Sequence, residues 1–402
     1  MLPEPGPVRA LSLAVLLRST GRGLFLTVSV LYFLNVVGLS ETQVGLGLTI
    51  AGLAGLLGSL PAGRLCDVIG PRAVNVAFCA AGGLLVACYG FVTGFVGFAL
   101  VAALVSFAEA ADGTARATLI GGAVPAERRV EVRAYLRAVT NVGWSLGGLV
   151  AMIALAVGTR PAYLVMLYGC AAAYLASAAL TLRVPDVQPV AKPKDGPTWV
   201  VLRDRPYALL AVLNAILVIH GPLLMVILPM WVKHVGAPNL MVAAIGLINT
   251  VMVTFLQVRL SRNTHDLTGS ANAQRRAGVL LLLACGLFAL AAGQPEWLAI
   301  TVLAAGAILH VFGEILQAAG SWGLSYELAP AHALGQYQGL YNMSWQAANV
   351  AAPALLTAVI IGWGWPGWLL IGLVFVAAGC AVPPATRWAE RSRAREAVAV
   401  TA

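Results

Sequence analysis

The sequence predicts an all-α polytopic membrane protein, with twelve transmembrane helices in two pseudo-symmetric six-helix bundles. Three observations predict it. Of the 402 residues, 60% are hydrophobic and 10% charged, where a soluble domain carries about 25% charge. The apolar stretches divide into twelve windows, each close to the ~20 residues that cross a bilayer. A proline-rich stretch with Pro185, Pro189, Pro193 and Pro197 then separates the sixth window from the seventh. So little polar surface excludes a soluble enzyme, and so much apolar sequence excludes a disordered chain. Six scattered cysteines without CxxC spacing exclude a disulfide framework and read as small core residues.

In chain order the windows lie near 11–37, 43–62, 73–92, 96–122, 134–157 and 162–182, then 208–232, 239–260, 277–293, 297–322, 338–361 and 366–384. This organises the chain as an N-terminal bundle over 1–183, a linker over 184–206 and a C-terminal bundle over 207–402 that ends in a basic tail. Arg18 and Arg22 interrupt the first window, so it does not read as a cleavable signal. Trp199 to Arg205 mixes Trp and Leu with Arg and Asp, which predicts a short interfacial helix. The net charge of +9 rests on 22 Arg and 3 Lys. Only Arg160 and Lys233 fall on one side of the predicted membrane, whereas the N-terminus, the even-numbered loops and the tail carry most of the rest. That bias puts both termini in the cytoplasm of a multi-pass cell-membrane protein. It also accounts for the positive charge without a nucleic-acid partner.

An ionisable side chain at the centre of a membrane span costs about 2.5–3.5 kcal/mol, so it normally faces a cavity or the bundle interior. These residues are concentrated in four spans. Span one holds Arg18 and Arg22, and span four holds Glu109, Asp112 and Arg116. Span seven holds His220, and span ten holds His310 and Glu314. Every third span is charged, as expected if the first helix of each repeated triplet lined a shared passage. Glu109, Asp112 and Arg116 share one helical face, and His310, Glu314 and Gln317 form a stripe on another. Glu109, Glu314, Asp112 and His310 are therefore the proton-coupling candidates, with static ion pairing of helices as the other reading. Among these residues His220 reads either as a ligand contact or as a satisfied structural histidine.

Amides and aromatics recur at helical spacing in span eleven, which carries Gln338, Tyr341, Asn342, Trp345 and Asn349. Similar residues are Tyr135, Asn141 and Trp144 in span five, Asn249 and Gln257 in span eight, and Asn35 late in span one. They suit either an adaptable ligand pocket or interhelical hydrogen bonding. With Arg22, His220 and Gln317, the residues Asn35, Tyr341, Asn342, Trp345 and Asn349 are the substrate-binding candidates.

The stretch Gly63-Arg64-Leu65-Cys66-Asp67-Val68-Ile69-Gly70-Pro71-Arg72 resembles the signature loop of the major facilitator superfamily, Gly-x-x-x-Asp-Arg-x-Gly-Arg-Arg. Gly63, Asp67, Gly70 and Arg72 match, while Val68 and Pro71 stand where the family has arginine. Asp112-Gly113 resembles the acidic-Gly element of that family's fourth helix. Gly143-x3-Gly147-Gly148 is similar to the fifth-helix motif of its drug:proton antiporter branch, without the usual proline. Pro125-Ala126-Glu127 before span five echoes Pro330-Ala331-His332 before span eleven, as a duplication would leave it.

The resemblance implies a monomeric secondary transporter without a cofactor, driven by the proton gradient, that exports small, partly hydrophobic organic compounds by alternating access. An importer or uniporter of sugars or organic acids is the alternative within transporters. The resemblance makes Gly63, Asp67, Gly70, Arg72 and Arg116 a gate or latch, and by its own chemistry Asp67 can cap a helix start beside the turn between spans two and three and pair with a basic group such as Arg116. No HExxH, GxSxG or GxxxxGK[ST] pattern occurs, so neither catalysis nor ATP drive is expected, and no metal ligands are assigned.

Overall fold

The computed structural model describes residues 6–191, 197–262, 264 and 266–401, with side chains as far as Arg395. Lys192, Pro193, Lys194 and Asp195 of the predicted linker lie outside the described residues. Twelve of the described helices are long and apolar enough to cross a membrane. They are span 1 (Pro7–Asn35), span 2 (Glu41–Ile69), span 3 (Pro71–Phe91), span 4 (Phe95–Ala123), span 5 (Ala126–Val157) and span 6 (Arg160–Thr181). Span 7 (Arg205–His234), span 8 (Leu240–Leu260), span 9 (Leu267–Leu290), span 10 (Glu296–Glu327), span 11 (Ala331–Ile361) and span 12 (Trp365–Arg395) follow.

All twelve predicted windows are helical, but several helices outrun them. Span 2 continues through Arg64 and Asp67 to Ile69, so the expected loop shrinks to Gly70, which joins spans 2 and 3 at a φ of 92°. Span 9 begins ten residues before its window, where Asp266 accepts a hydrogen bond from the Gly269 N–H at 2.9 Å. Hydropathy falls where charge begins, but a helix ends only where its backbone groups find other partners. The expected interfacial helix is absent. Residues 201–203 form a turn, and the helix starts at Arg205, with Asp204 as its N-cap and Pro206 in its first turn. A proline there has the right φ and no N–H to leave unmet. The two echoed tripeptides adopt the same structure, a 3-10 turn after Pro125 or Pro330 that leads into spans 5 and 11. Two wide π-type turns interrupt the spans, at Leu223–Ile227 after Pro222 and at Thr357–Ile361 after Pro353.

Two compact units result. The first contains residues 1–200 and 330–346, the second 201–329 and 347–402. In the first, span 1 packs on span 6, span 2 on span 4, and span 3 on both 4 and 6. The second repeats this scheme, with span 7 on 12, span 8 on 10, and span 9 on both 10 and 12. The repetition reaches single hydrogen bonds. Tyr32 on span 1 donates to the Tyr89 carbonyl on span 3 at 3.2 Å, and Trp231 on span 7 donates to the Phe288 carbonyl on span 9 at 2.8 Å. Each donor belongs to an aromatic cluster. Tyr32 sits with Phe33, Tyr89 and Phe98, while Trp231 sits with Phe288 and Trp368.

Span 1 also packs on span 5, and glycine makes that approach possible. A Cβ on Gly147 would strike the Thr20 carbonyl, and one on Gly143 would lie 2.6 Å from the Ser19 Cβ. The glycines resembling an antiporter motif are thus the surface on which span 1 rests, as small residues allow between membrane helices.

Candidate functional site

In the first unit the charges of spans 1 and 4 interlock. Arg18 and Arg22 are one turn apart on span 1, and Glu109 and Asp112 one turn apart on span 4. Arg18 Nε lies 2.7 Å from Asp112 Oδ2, and Arg22 Nη1 is paired with Glu109 Oε1. Neutral groups complete the network. The Tyr174 hydroxyl donates to Glu109 Oε1 at 2.8 Å, and the Asn75 amide donates to Asp112 Oδ1 at 2.7 Å. The Tyr174 ring also lies beneath the Arg18 guanidinium, 5.3 Å from its centroid. Arg116 Nη1 reaches Asp112 Oδ2 at 3.2 Å within its own helix. The two acids differ in access, since the Asp112 side chain is 2% exposed and that of Glu109 13%. Three guanidiniums share two carboxylates, so this partly buried network has a formal excess of one positive charge.

The signature stretch sits elsewhere in the same unit. Asp67 accepts hydrogen bonds from the N–H groups of Gly335 and Gln336 at 2.6 and 3.0 Å, which caps the start of span 11. Free N–H groups and the helix dipole make that end a natural seat for a carboxylate. Gly63 permits the approach, because a Cβ there would strike the Gly335 carbonyl. Arg116, the expected partner of Asp67, bonds Asp112 instead. Arg72 meets the segment after span 6, with Nη1 3.1 Å from the Val184 carbonyl and Nε 3.3 Å from Asp186 Oδ1.

In the second unit His220, His310 and Glu314 converge from spans 7 and 10. They are 5%, 1% and 8% exposed, and one ligand atom from each lies within 4.8 Å of the others. The Asn249 amide on span 8 donates to Glu314 Oε2 at 2.6 Å. His310 Nε2 lies 3.0 Å from the His220 carbonyl, and the two imidazoles meet edge to face with centroids 5.1 Å apart. His310 Nδ1 is buried 3.9 Å from Glu314 Oε2, beyond hydrogen-bond length. By donor type, this cluster has the composition of a metal site.

The remaining predicted residues are dispersed. Gln317 donates to Asn214 at 2.9 Å, joining spans 10 and 7. The Asn342 amide lies 2.9 Å from the Ser59 hydroxyl, 3.0 Å from the Ala110 carbonyl and 3.1 Å from the Thr114 hydroxyl, which places it in a helix crossing. Tyr341 is buried, Asn349 half-buried and Trp345 exposed, while Asn35 is exposed at the end of span 1. Tyr174, Asn75 and Asn214 were not foreseen. A lone neutral polar residue in an apolar helix carries no periodic signal, and only the partner it faces reveals it, an acid for Tyr174 and Asn75 and the Gln317 amide for Asn214.

A family model described as Major Facilitator Superfamily matches residues 11–353. Among curated proteins, none matches in sequence. Among solved structures, the chain is similar to the human organic anion transporter MFSD10 (TETRAN), with 14% identity and a TM-score of 0.72, over 95% of this chain and 100% of that one. A bacterial homologue of the iron transporter ferroportin, in an outward-facing state, aligns at 16% identity and a TM-score of 0.75, over 96% of this chain and 99% of that one. The proton:xylose symporter XylE, bound to 6-bromo-6-deoxy-D-glucose, aligns at 14% identity and a TM-score of 0.68, over 96% and 94% of the two chains. At these identities the likeness concerns the fold.

Proposed function

The chain belongs to the major facilitator superfamily of secondary transporters, and on that premise we propose that it is a proton-coupled exporter of small, partly hydrophobic organic compounds. One observation carries the reading. Of the two acids in the span 1 and span 4 network, Glu109 is the more accessible, and its Oε1 is shared by Arg22 and Tyr174. A carboxylate oxygen that can take either a proton or a donor group of the substrate makes the two mutually exclusive, which is the requirement for antiport. Asp112, closed in by Arg18, Arg116 and Asn75, holds the helices around it. Asp67 and Gly63 of span 2, seated against the start of span 11, are the latch, together with Gly70 and Arg72. Substrate and protons are the partners, and no cofactor is needed. The asymmetry of Arg and Lys supports a multi-pass cell-membrane protein with both termini in the cytoplasm.

The excess positive charge of the network favours a second reading, the proton-coupled uptake of an organic anion. There a proton on Glu109 would release the Arg22 guanidinium to hold the substrate. The two readings predict opposite proton movements. In weakly buffered detergent solution with a pH indicator, an exporter releases protons when a lipophilic cation such as tetraphenylphosphonium is added, and Glu109→Gln abolishes the release. Proton uptake on adding an organic acid such as benzoate would establish the second reading. Undiminished release in Glu109→Gln would remove this residue as the carrier.

A further inference from the structure

We propose that His220, His310 and Glu314 form a binding site for one divalent first-row transition-metal ion. The proposal lies entirely in the second unit and does not rest on the proton-coupled reading. Two imidazoles and a carboxylate are the donor set that selects such ions over Mg2+ or Ca2+. His310 and Glu314 stand one helical turn apart on span 10, a spacing that presents two ligands to one ion. His220 supplies the third from span 7.

Three features of the cluster suit a metal better than an internal hydrogen-bond network. The Nε2–H of His310 donates to the His220 carbonyl at 3.0 Å, which leaves Nδ1 as the lone-pair nitrogen. A backbone carbonyl in that role is the usual outer support of a metal-bound histidine. That Nδ1 is buried, makes no hydrogen bond among the described residues and faces Glu314 Oε2 at 3.9 Å. An ion about 2.0–2.2 Å from each ligand holds neighbouring ligand atoms about 3–3.5 Å apart, so side-chain shifts on the order of 1 Å close the shell. Finally, the Asn249 amide fixes Glu314 through Oε2 at 2.6 Å, orienting the carboxylate from outside as second-layer groups do. The wide turn Leu223–Ile227 begins three residues after His220, and such turns are frequent at functional sites.

The test uses full-length protein without a histidine tag, purified in detergent and stripped with a chelator. Titration with Co2+ is expected to give one bound ion per chain and a visible spectrum of low-symmetry nitrogen and oxygen coordination. Mg2+ should give no response. His310→Gln and Glu314→Gln should lose the site, and Asn249→Ala should weaken it by about 10–100-fold, whereas His332→Gln should bind like the wild type. X-ray absorption of the Zn2+-loaded wild type keeps the test independent of variant folding, because two imidazoles leave a recognisable outer-shell signature. Absence of stoichiometric Co2+ binding, undiminished binding in both ligand variants, or a Zn2+ spectrum without histidine would each overturn the proposal.

Discussion

Asp112 offers the sharpest test of how the buried charges hold the first unit together. Asp112→Ala removes the one carboxylate that Arg18 and Arg116 share and the acceptor of the Asn75 amide. Truncating one partner of a buried ion pair costs about 3–5 kcal/mol, because the surviving charge stays buried. The lost Asn75 bond represents about 1–3 kcal/mol, but neighbouring effects do not add. The expected destabilisation is therefore about 3–5 kcal/mol. Asp112→Asn keeps an acceptor and should fall between this variant and the wild type. Membrane proteins unfold irreversibly, so the ranking is read at fixed heating time from the folded peak in size-exclusion chromatography. The order of melting temperature should be wild type, then Asn, then Ala. Adding Arg18→Met to Asp112→Ala should restore much of the loss, since Arg18 makes the closest contact and its side chain is 14% exposed against 27% for that of Arg116. Were Asp112→Ala to melt with the wild type, or the double variant no higher than Asp112→Ala, the network would not be what stabilises this unit.

Two neighbouring glycines give a matched pair. Gly147→Ala should destabilise by about 1–3 kcal/mol through overpacking, because its methyl meets the Thr20 backbone, while Gly148→Ala meets only the Thr27 hydroxyl at 3.5 Å and should melt like the wild type. Asp67→Ala leaves the Gly335 and Gln336 N–H groups without their acceptor. Amide exchange in a peptide covering 330–346, followed by mass spectrometry, should quicken about tenfold, the equivalent of ~1.4 kcal/mol; an unchanged rate would mean that another group caps this helix.

The helices were legible in the sequence because a backbone in hydrocarbon must satisfy itself, leaving an apolar window wherever it crosses. Their ends were not. Arg64 and Asp67 break the window of span 2, but the helix runs on to Ile69 because polar side chains do not disturb its hydrogen bonds. The charged residues of spans 1, 4, 7 and 10 were visible for the same energetic reason, since each is costly in lipid. Their grouping was not. The sequence could not show that Arg22 takes Glu109 while Arg18 takes Asp112, or that His220 joins His310 and Glu314. Asn342 marks the limit, for its spacing fitted a ligand stripe while its amide lies among Ser59, Ala110 and Thr114.

The paired arginines and acids of spans 1 and 4 also act as a vernier. Two pins on one rod fit two sockets on the other in a single setting, because Arg18 and Arg22 rise while Asp112 and Glu109 descend. Sliding one rod by a single pitch, about 5.4 Å, would leave at most one pin seated and the other guanidinium stranded without its carboxylate. Intermediate settings are therefore penalised twice over, so these two rods must travel as one piece during any larger motion of the transporter.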